Sequence, residues 1–181
     1  MPRCTHNSGA PRLNSRGTFI FGGSPHGETP HRPALRGWCA GKPLERILDA
    51  NLNRAREGLR VTEEVTRFVI EDRGLSAEIK RIRHTLNDAA KLLPRPYQLL
   101  RARNSDKDIG KNIFAGELER ESFADLFYAN IQRVKESLRA LEEFSKLRSA
   151  HCARGFKNIR YEIYDFEKKA AGKIAALRNS R

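Results

Sequence analysis

An all-α fold, a helical bundle built from an internally duplicated helix pair behind a disordered N-terminal leader, is what this sequence predicts. Three observations carry it. DANLNRAREGLRVTEEVTRF (Asp49 to Phe68) aligns without gaps on YANIQRVKESLRALEEFSKL (Tyr128 to Leu147), with eight identities in 20 positions, where ordinary composition gives roughly one or two. Apolar residues recur at helical spacing through both copies, and β-type alternation is sustained nowhere. A weaker echo follows each copy, IKRIRHTLNDAAK (Ile79 to Lys91) against FKNIRYEIYDFEK (Phe156 to Lys168), offset by 77 residues rather than 79. The repeat unit is therefore two helices, and four long helices with such connections predict a bundle whose halves are related by a pseudo-twofold.

The first helix is expected to open just after Pro43, because a proline near a helix start gives up an N–H that has no partner there. Leu44, Leu48, Leu52, Ala55 and Leu59 supply its packed spacing. The second is expected to start near Ser76, a residue suited to an N-cap, and to stop before Pro94 and Pro96. Ser122 and Asp125 form a capping pattern for the third. The fourth fills about Phe156 to Leu177. This divides the domain at 44–181 into repeat one (44–93), a linking loop (94–121) and repeat two (122–178), the loop being rich in Asn, Ser, Asp and Gly.

The ends of the chain differ from its body. Of 181 residues, the first 43 hold six of the eight prolines and seven of the 13 glycines, a composition that predicts disorder. The net charge of +13 also sits at the ends: Lys plus Arg outnumber acids six to one over residues 1–43 and nine to three over 148–181, against 20 to 18 between. A nucleic-acid binder would carry its basic residues across the folded body, so this class is not favoured. The leader reads as a basic tail, a transit-like segment or an overlong start. No apolar run approaches the roughly 18 residues that span a bilayer. Three scattered cysteines, Cys4, Cys39 and Cys152, point to a reducing compartment, hence the cytoplasm, and neither Cys4 with His6 nor His151 with Cys152 has the four-ligand spacing of a metal site.

At 100° per residue the first helix shows a broad apolar arc formed by Leu44, Ile47, Leu48, Leu52, Ala55, Leu59, Val61, Val65, Phe68 and Val69, and Asn51, Arg54 and Gly58 project into it. Asn130, Arg133 and Ser137 repeat the pattern in the second copy. Buried Arg and Asn are costly unless paired. They serve either as structural pairs or as an anion site in which two Arg–Asn pairs converge, and the residues alone leave both open. Glu57, Arg60 and Glu64, like Glu136, Arg139 and Glu143, fall on the opposite face, either as a surface ladder of ion pairs or as the contact with the second helix of each repeat. Arg103, Asp106, Asp108 and Gly110 in the loop can position Mg²⁺ and phosphate or simply connect helices. Arg83 and His84 on the second helix are open to a structural or a binding role. No nucleotide loop, dinucleotide fingerprint, zinc helix or nucleophile elbow is present.

LDANLNRAREGLRVTEE, then IRHTL, LLRARNSDKDIG and ANIQRVKESLRALEEFSK, resemble the monofunctional hydroxymethylpyrimidine phosphate kinases of thiamin biosynthesis, a domain often fused N-terminally to thiamin phosphate synthase. The resemblance runs from about Leu44 to Lys146. It implies transfer of the γ-phosphoryl of ATP, with Mg²⁺, to 4-amino-5-hydroxymethyl-2-methylpyrimidine phosphate. With that reaction in view, Arg54 and Arg133, which helical phase buries and both repeats keep, are the catalytic candidates together with Asp108, Asp108 is the candidate metal ligand, and Asn51, Asn130, Arg83, His84, Arg103 and Gly110 are the candidate substrate-binding residues. The family's loop reads Arg-Asp-Thr-x-x-Asp-Val-Gly-Thr. Here Asn104 stands for the first acid and Lys111 for the last hydroxyl. No βα barrel fits in the remaining residues. The partners implied are the pyrimidine phosphate, ATP, thiamin phosphate synthase and a further copy of the chain, with neither nucleic acid nor membrane. A non-catalytic helical module docking on the synthase is the alternative.

Overall fold

A computed structural model describes residues 41–93, 97–110 and 120–178, all within the unit Cys39–Arg181. The expected disordered leader, residues 1–43, falls outside this set except for Gly41–Pro43, which open a helix instead. The elements are α1 (Gly41–Glu64), running into a π-helical turn at Val65–Val69, α2 (Arg73–Lys91), the short α3 (Tyr97–Ala102), α4 (Phe123–Ser145) and α5 (Ala150–Arg178). No strand occurs among the described residues. The fold is all-α.

The four long helices close a ring in which α1 packs on α4, α4 on α5, α5 on α2 and α2 on α1. Exchanging the two pairs preserves every neighbour, as a duplicated unit requires. Leu48, Leu52, Ala55 and Leu59 of α1 meet Phe127, Ile131, Val134 and Leu138 of α4 in one continuous core, which Ile79, Ile82 and Leu86 of α2 and Phe156, Ile159, Ile163 and Phe166 of α5 complete. At the α1–α4 crossing a Cβ on Gly58 would lie 2.7 Å from Val134 Cγ2 and 3.0 Å from the Asn130 carbonyl oxygen. Gly58 is thus there to let two backbones approach, not to leave room beside Arg54.

Several element ends differ from expectation. α1 begins two residues before Pro43, which sits in the first turn where proline is tolerated. α2 starts at Arg73, not near Ser76, because Asp72 adopts an extended backbone and its side chain accepts from the Leu75 N–H at 2.8 Å. The Lys173 ammonium bound to Asp72, followed by this N–H, holds the carboxyl below the usual carboxylate value. α5 starts at Ala150 rather than Phe156. The segment expected to be loop opens with α3. The cap of α4 is as expected: Ser122 Oγ accepts from Asp125 N–H at 3.1 Å while the hydroxyl donates to the Asp125 carboxylate at 2.6 Å. The two residues by which the repeat offsets differ fall between α1 and α2, where the chain makes a π-helical turn and then places Glu71 at φ 55°. The corresponding α4–α5 turn, Lys146–Ser149, is short and bonded back to Glu143, Phe144 and Ser145.

The main correction concerns the buried face of α1. Arg54 and Arg133 are both exposed, and Phe68 is 60% exposed. The buried arc is rotated toward Glu45, Asp49 and Glu63, which are 6%, 7% and 4% exposed. Each of these acids receives an arginine from another element: Arg148 on Glu45 at 2.8 Å, Arg103 on Asp49, and Arg83 on Glu63 at 2.9 Å. Pairing is what makes burial of a carboxylate affordable, and a count of apolar residues alone does not register it.

Candidate functional site

The groove that gathers most of the expected site residues runs along the exposed side of α1 and under the loop that follows α3. Arg103, the first residue after α3, donates from Nε and Nη2 to the two carboxylate oxygens of Asp49 at 2.7 and 2.9 Å. This forked bond pins the loop to α1, and the Asp49 carboxylate raises the guanidinium's pKa further. Beyond it the chain turns back. The Asp108 N–H reaches Ser105 O at 3.5 Å, and Asp108 Oδ1 accepts from the Gly110 N–H at 3.0 Å. Asp108 thereby lines two adjoining cavities of about 300 and 320 Å³, both of which also contain Arg46, Ala50 and Arg54. Asn51 borders the first of them, and its Nδ2 donates to Ile47 O at 2.8 Å. Asp49, Glu57 and Arg103 border the second.

On the other side of the Arg103–Asp49 bond lies a larger cleft of about 560 Å³ between α1, α2 and α3. Leu52, Ala90 and Leu99 form its apolar floor, and all three are buried. His84, Asn87, Asp88 and Lys91 of α2 form one wall and Arg56 of α1 the other, with Arg56 Nε donating to Asn87 Oδ1 at 2.9 Å. Arg103 and Asp49 line both cleft and groove.

The expected residues therefore separate. Asn51, Arg54, Arg103 and Asp108 come together in the groove, with Gly110 supplying the turn that presents Asp108. His84 borders the cleft on the far side of Arg103. Arg83 is directed instead to Glu63, which also takes Arg60 at 3.5 Å. Asn130 and Arg133 line neither space. Asn130 bonds back to Leu126 O at 2.8 Å, the same contact that Asn51 makes one repeat earlier. Arg46, Asp49, Arg56 and Asn87 were not anticipated. Their signal is divergence between the copies: Arg46, Asp49 and Asn87 align with Asp125, Tyr128 and Tyr164, so a search for shared residues discards them.

The shared acids do other work. Glu142 of α4 takes Arg139 at 2.9 Å and Arg160 of α5 at 2.8 Å, matching Glu63 with Arg60 and Arg83. Burial pushes the Glu142 carboxyl up, but its bonds to Arg160 and Arg139 outweigh this and hold it below the usual carboxylate value. The face given to Glu57, Arg60 and Glu64 is in part a ladder, since Arg60 also meets Glu64 and Arg139 meets Glu143 at 2.8 Å.

Among the described residues no three His, Cys, Asp or Glu side chains are grouped as metal ligands. Asp108 and Glu57 are the exposed carboxylates that the groove sets beside its arginines. No described helix is long and apolar enough to cross a membrane.

A profile of the ThiD2 family matches residues 46–169. Thiamine-phosphate synthases of Thermosynechococcus vestitus and of a Synechocystis species are each 43% identical to this chain, over 128 and 131 residues, covering 70% and 71% of it. That of Rhodopirellula baltica is 38% identical over 133 residues, 73% of the chain. The chain spans only about a third of the length of these curated relatives, 35%, 36% and 35% respectively. No solved structure matches.

Proposed function

Because the chain belongs to the ThiD2 family, we propose that it acts in thiamin biosynthesis as a phosphotransferase, passing the γ-phosphoryl of ATP to 4-amino-5-hydroxymethyl-2-methylpyrimidine phosphate to give the diphosphate. The observation that carries the reading is the groove itself, in which Arg46, Arg54 and Arg103 converge with Asp108. Phosphoryl transfer asks a protein for position and for stabilisation of charge spread over oxygens, not for a nucleophilic side chain. Arg46 and Arg54 offer forked guanidinium groups that match phosphate oxygens, while Arg103 keeps its Nε and Nη2 on Asp49. Asp108, fixed by the Gly110 N–H, is the carboxylate that would meet a Mg²⁺ carried by ATP, and such an ion would supply neutralisation of phosphate charge. Arg103 occupies the junction of groove and cleft, where two anionic substrates would meet.

A second reading has its own support: the matched region is only about a third of proteins named thiamine-phosphate synthase. In this reading the chain is a non-catalytic module that docks on such a synthase. ADP formation by the purified protein separates the two. The kinase reading expects ADP and pyrimidine diphosphate only when ATP, Mg²⁺ and the pyrimidine phosphate are all present. No turnover with the three together, alongside binding to thiamine-phosphate synthase, would overturn it in favour of docking.

A further inference from the structure

The cleft on the α2 side of Arg103 differs from the groove in kind, having an apolar floor and a wall that bonds through an amide. We propose that it seats the phosphoryl acceptor, an amino-substituted N-heteroaromatic ring carrying one phosphate, with the ring at the Asn87–Arg56 end and the phosphate at the Arg103 end. The proposal rests on the kinase reading for the identity of the acceptor, and on the cleft alone for the chemical class.

Four observations support it. The floor of Leu52, Ala90 and Leu99 is apolar, which suits the face of a ring. The Arg56 guanidinium is braced at Nε by Asn87, and this is its one hydrogen bond to a described residue. Its planar face can therefore stack on an aromatic ring at little further ordering cost. Asn87 uses Oδ1 on Arg56 and makes no described hydrogen bond from Nδ2. Its amide therefore offers a donor beside a carbonyl oxygen, the pair that reads an amine next to a ring nitrogen. Finally, Asp49 and Arg56 stand seven residues apart on α1, about 10 Å along the axis, the scale of one ring bearing a methylene phosphate and too short for a nucleoside triphosphate. Lying on Asp49, Arg103 takes the phosphate end and faces the groove, where the donor phosphates would lie.

The second repeat shows what the same positions look like without a ligand to hold. His84 and Asn87 align with Tyr161 and Tyr164, and Arg160 lies over both rings, 5.3 and 5.6 Å from their centroids, while donating to the Tyr164 hydroxyl at 2.8 Å. The counterpart of Arg56 is Lys135, which is closed off by both oxygens of Glu167 at 3.0 and 2.9 Å. The Asn87–Arg56 wall and His84 thus have no counterpart of the same kind in repeat two.

Isothermal titration calorimetry of the full chain tests this, with the pyrimidine phosphate and Mg–ATP as separate titrants and melting temperature as the check on folding. Asn87→Ala and Arg56→Ala should each weaken the pyrimidine phosphate by about tenfold while leaving Mg–ATP within about twofold, the size of one or two lost hydrogen bonds. Asn87→Asp keeps an acceptor for Arg56 Nε and removes the N–H donor, so it should show the same loss in a chain whose wall is intact. Unchanged pyrimidine phosphate affinity in these variants, loss of Mg–ATP instead, or no binding by the wild type would overturn the assignment. A wild type that binds the pyrimidine phosphate, loses it in Asn87→Asp and forms no ADP would sink the kinase reading and leave the cleft standing.

Discussion

The two halves of the molecule share their skeleton and differ in what they expose. In both, a buried glutamate on the first helix, Glu63 or Glu142, joins an arginine one turn earlier to an arginine on the second helix. In both, an asparagine bonds back to its own helix. Around the first half, however, Asp49, His84 and Asn87 border open space, whereas Tyr128, Tyr161 and Tyr164 occupy the aligned positions of the second. Tyr128 lies edge-on to Phe127 with centroids 5.5 Å apart, and the other two tyrosines cover Arg160. The retained glutamate trios serve the fold in both copies, Arg54 is a retained residue that only one copy sets in a groove, and divergence marks where one copy has been specialised.

This comparison can be broken most easily at the buried glutamates. Glu142→Ala leaves Arg160 and Arg139 without their shared carboxylate. A lost partner in a buried pair costs about 3–5 kcal/mol, and the exposure of Arg139 reduces this to about 2–3 kcal/mol of unfolding free energy in urea titration. Glu63→Ala should match it within about 1 kcal/mol, since the two trios are alike. A difference of several kcal/mol would mean that the halves are not equivalent in their skeleton. Acid adds a second check. The folded pKa of Glu142 lies below its ordinary 4.5, so its contribution is complete above that value and is lost as pH falls through the folded pKa. Wild type should therefore lose stability below pH 4.5 more steeply than Glu142→Gln.

The α1–α4 crossing sharpens the comparison with a smaller effect, because its aligned positions are not alike. Gly58→Ala must push Val134 or the Asn130 backbone aside. Overpacking of about 1–3 kcal/mol, less the helix-propensity gain of about 0.5–1 kcal/mol, leaves a net loss near 1–2 kcal/mol. Ser137→Ala, at the matching place on α4, should stay within about 0.5 kcal/mol, because the buried hydroxyl makes no described hydrogen bond and the smaller side chain needs no shift. Equal melting temperatures for the two variants would show that Gly58 does not set the crossing.

The helices, their pairing and the capping of α4 were legible because periodicity, Ser122 and the repeat all act locally. The phase of α1 was not. Periodicity counts apolar residues alone, whereas Glu45, Asp49 and Glu63 are buried through the arrival of Arg148, Arg103 and Arg83 from distant parts of the chain. That rotation carries Arg54 to the surface, and Arg133 is likewise exposed on α4. The duplication drew attention to Arg54 and the loop composition to Arg103 and Asp108, which the groove collects, but shared identity also drew attention to Arg133 and Asn130, which it does not. Asn87 and Arg56 were invisible because their partnership spans 31 residues.

If one half alone forms the site, a pair of arginine variants, one from each repeat, tells the halves apart. In the assay for ATP- and pyrimidine-phosphate-dependent ADP formation, Arg54→Lys should lower kcat/KM by about tenfold, since an exposed lysine keeps the charge but loses the fork. Arg133→Lys should remain within about twofold of wild type. Equal losses in the two variants, with native melting temperatures, would show that both halves contribute and would contradict the account.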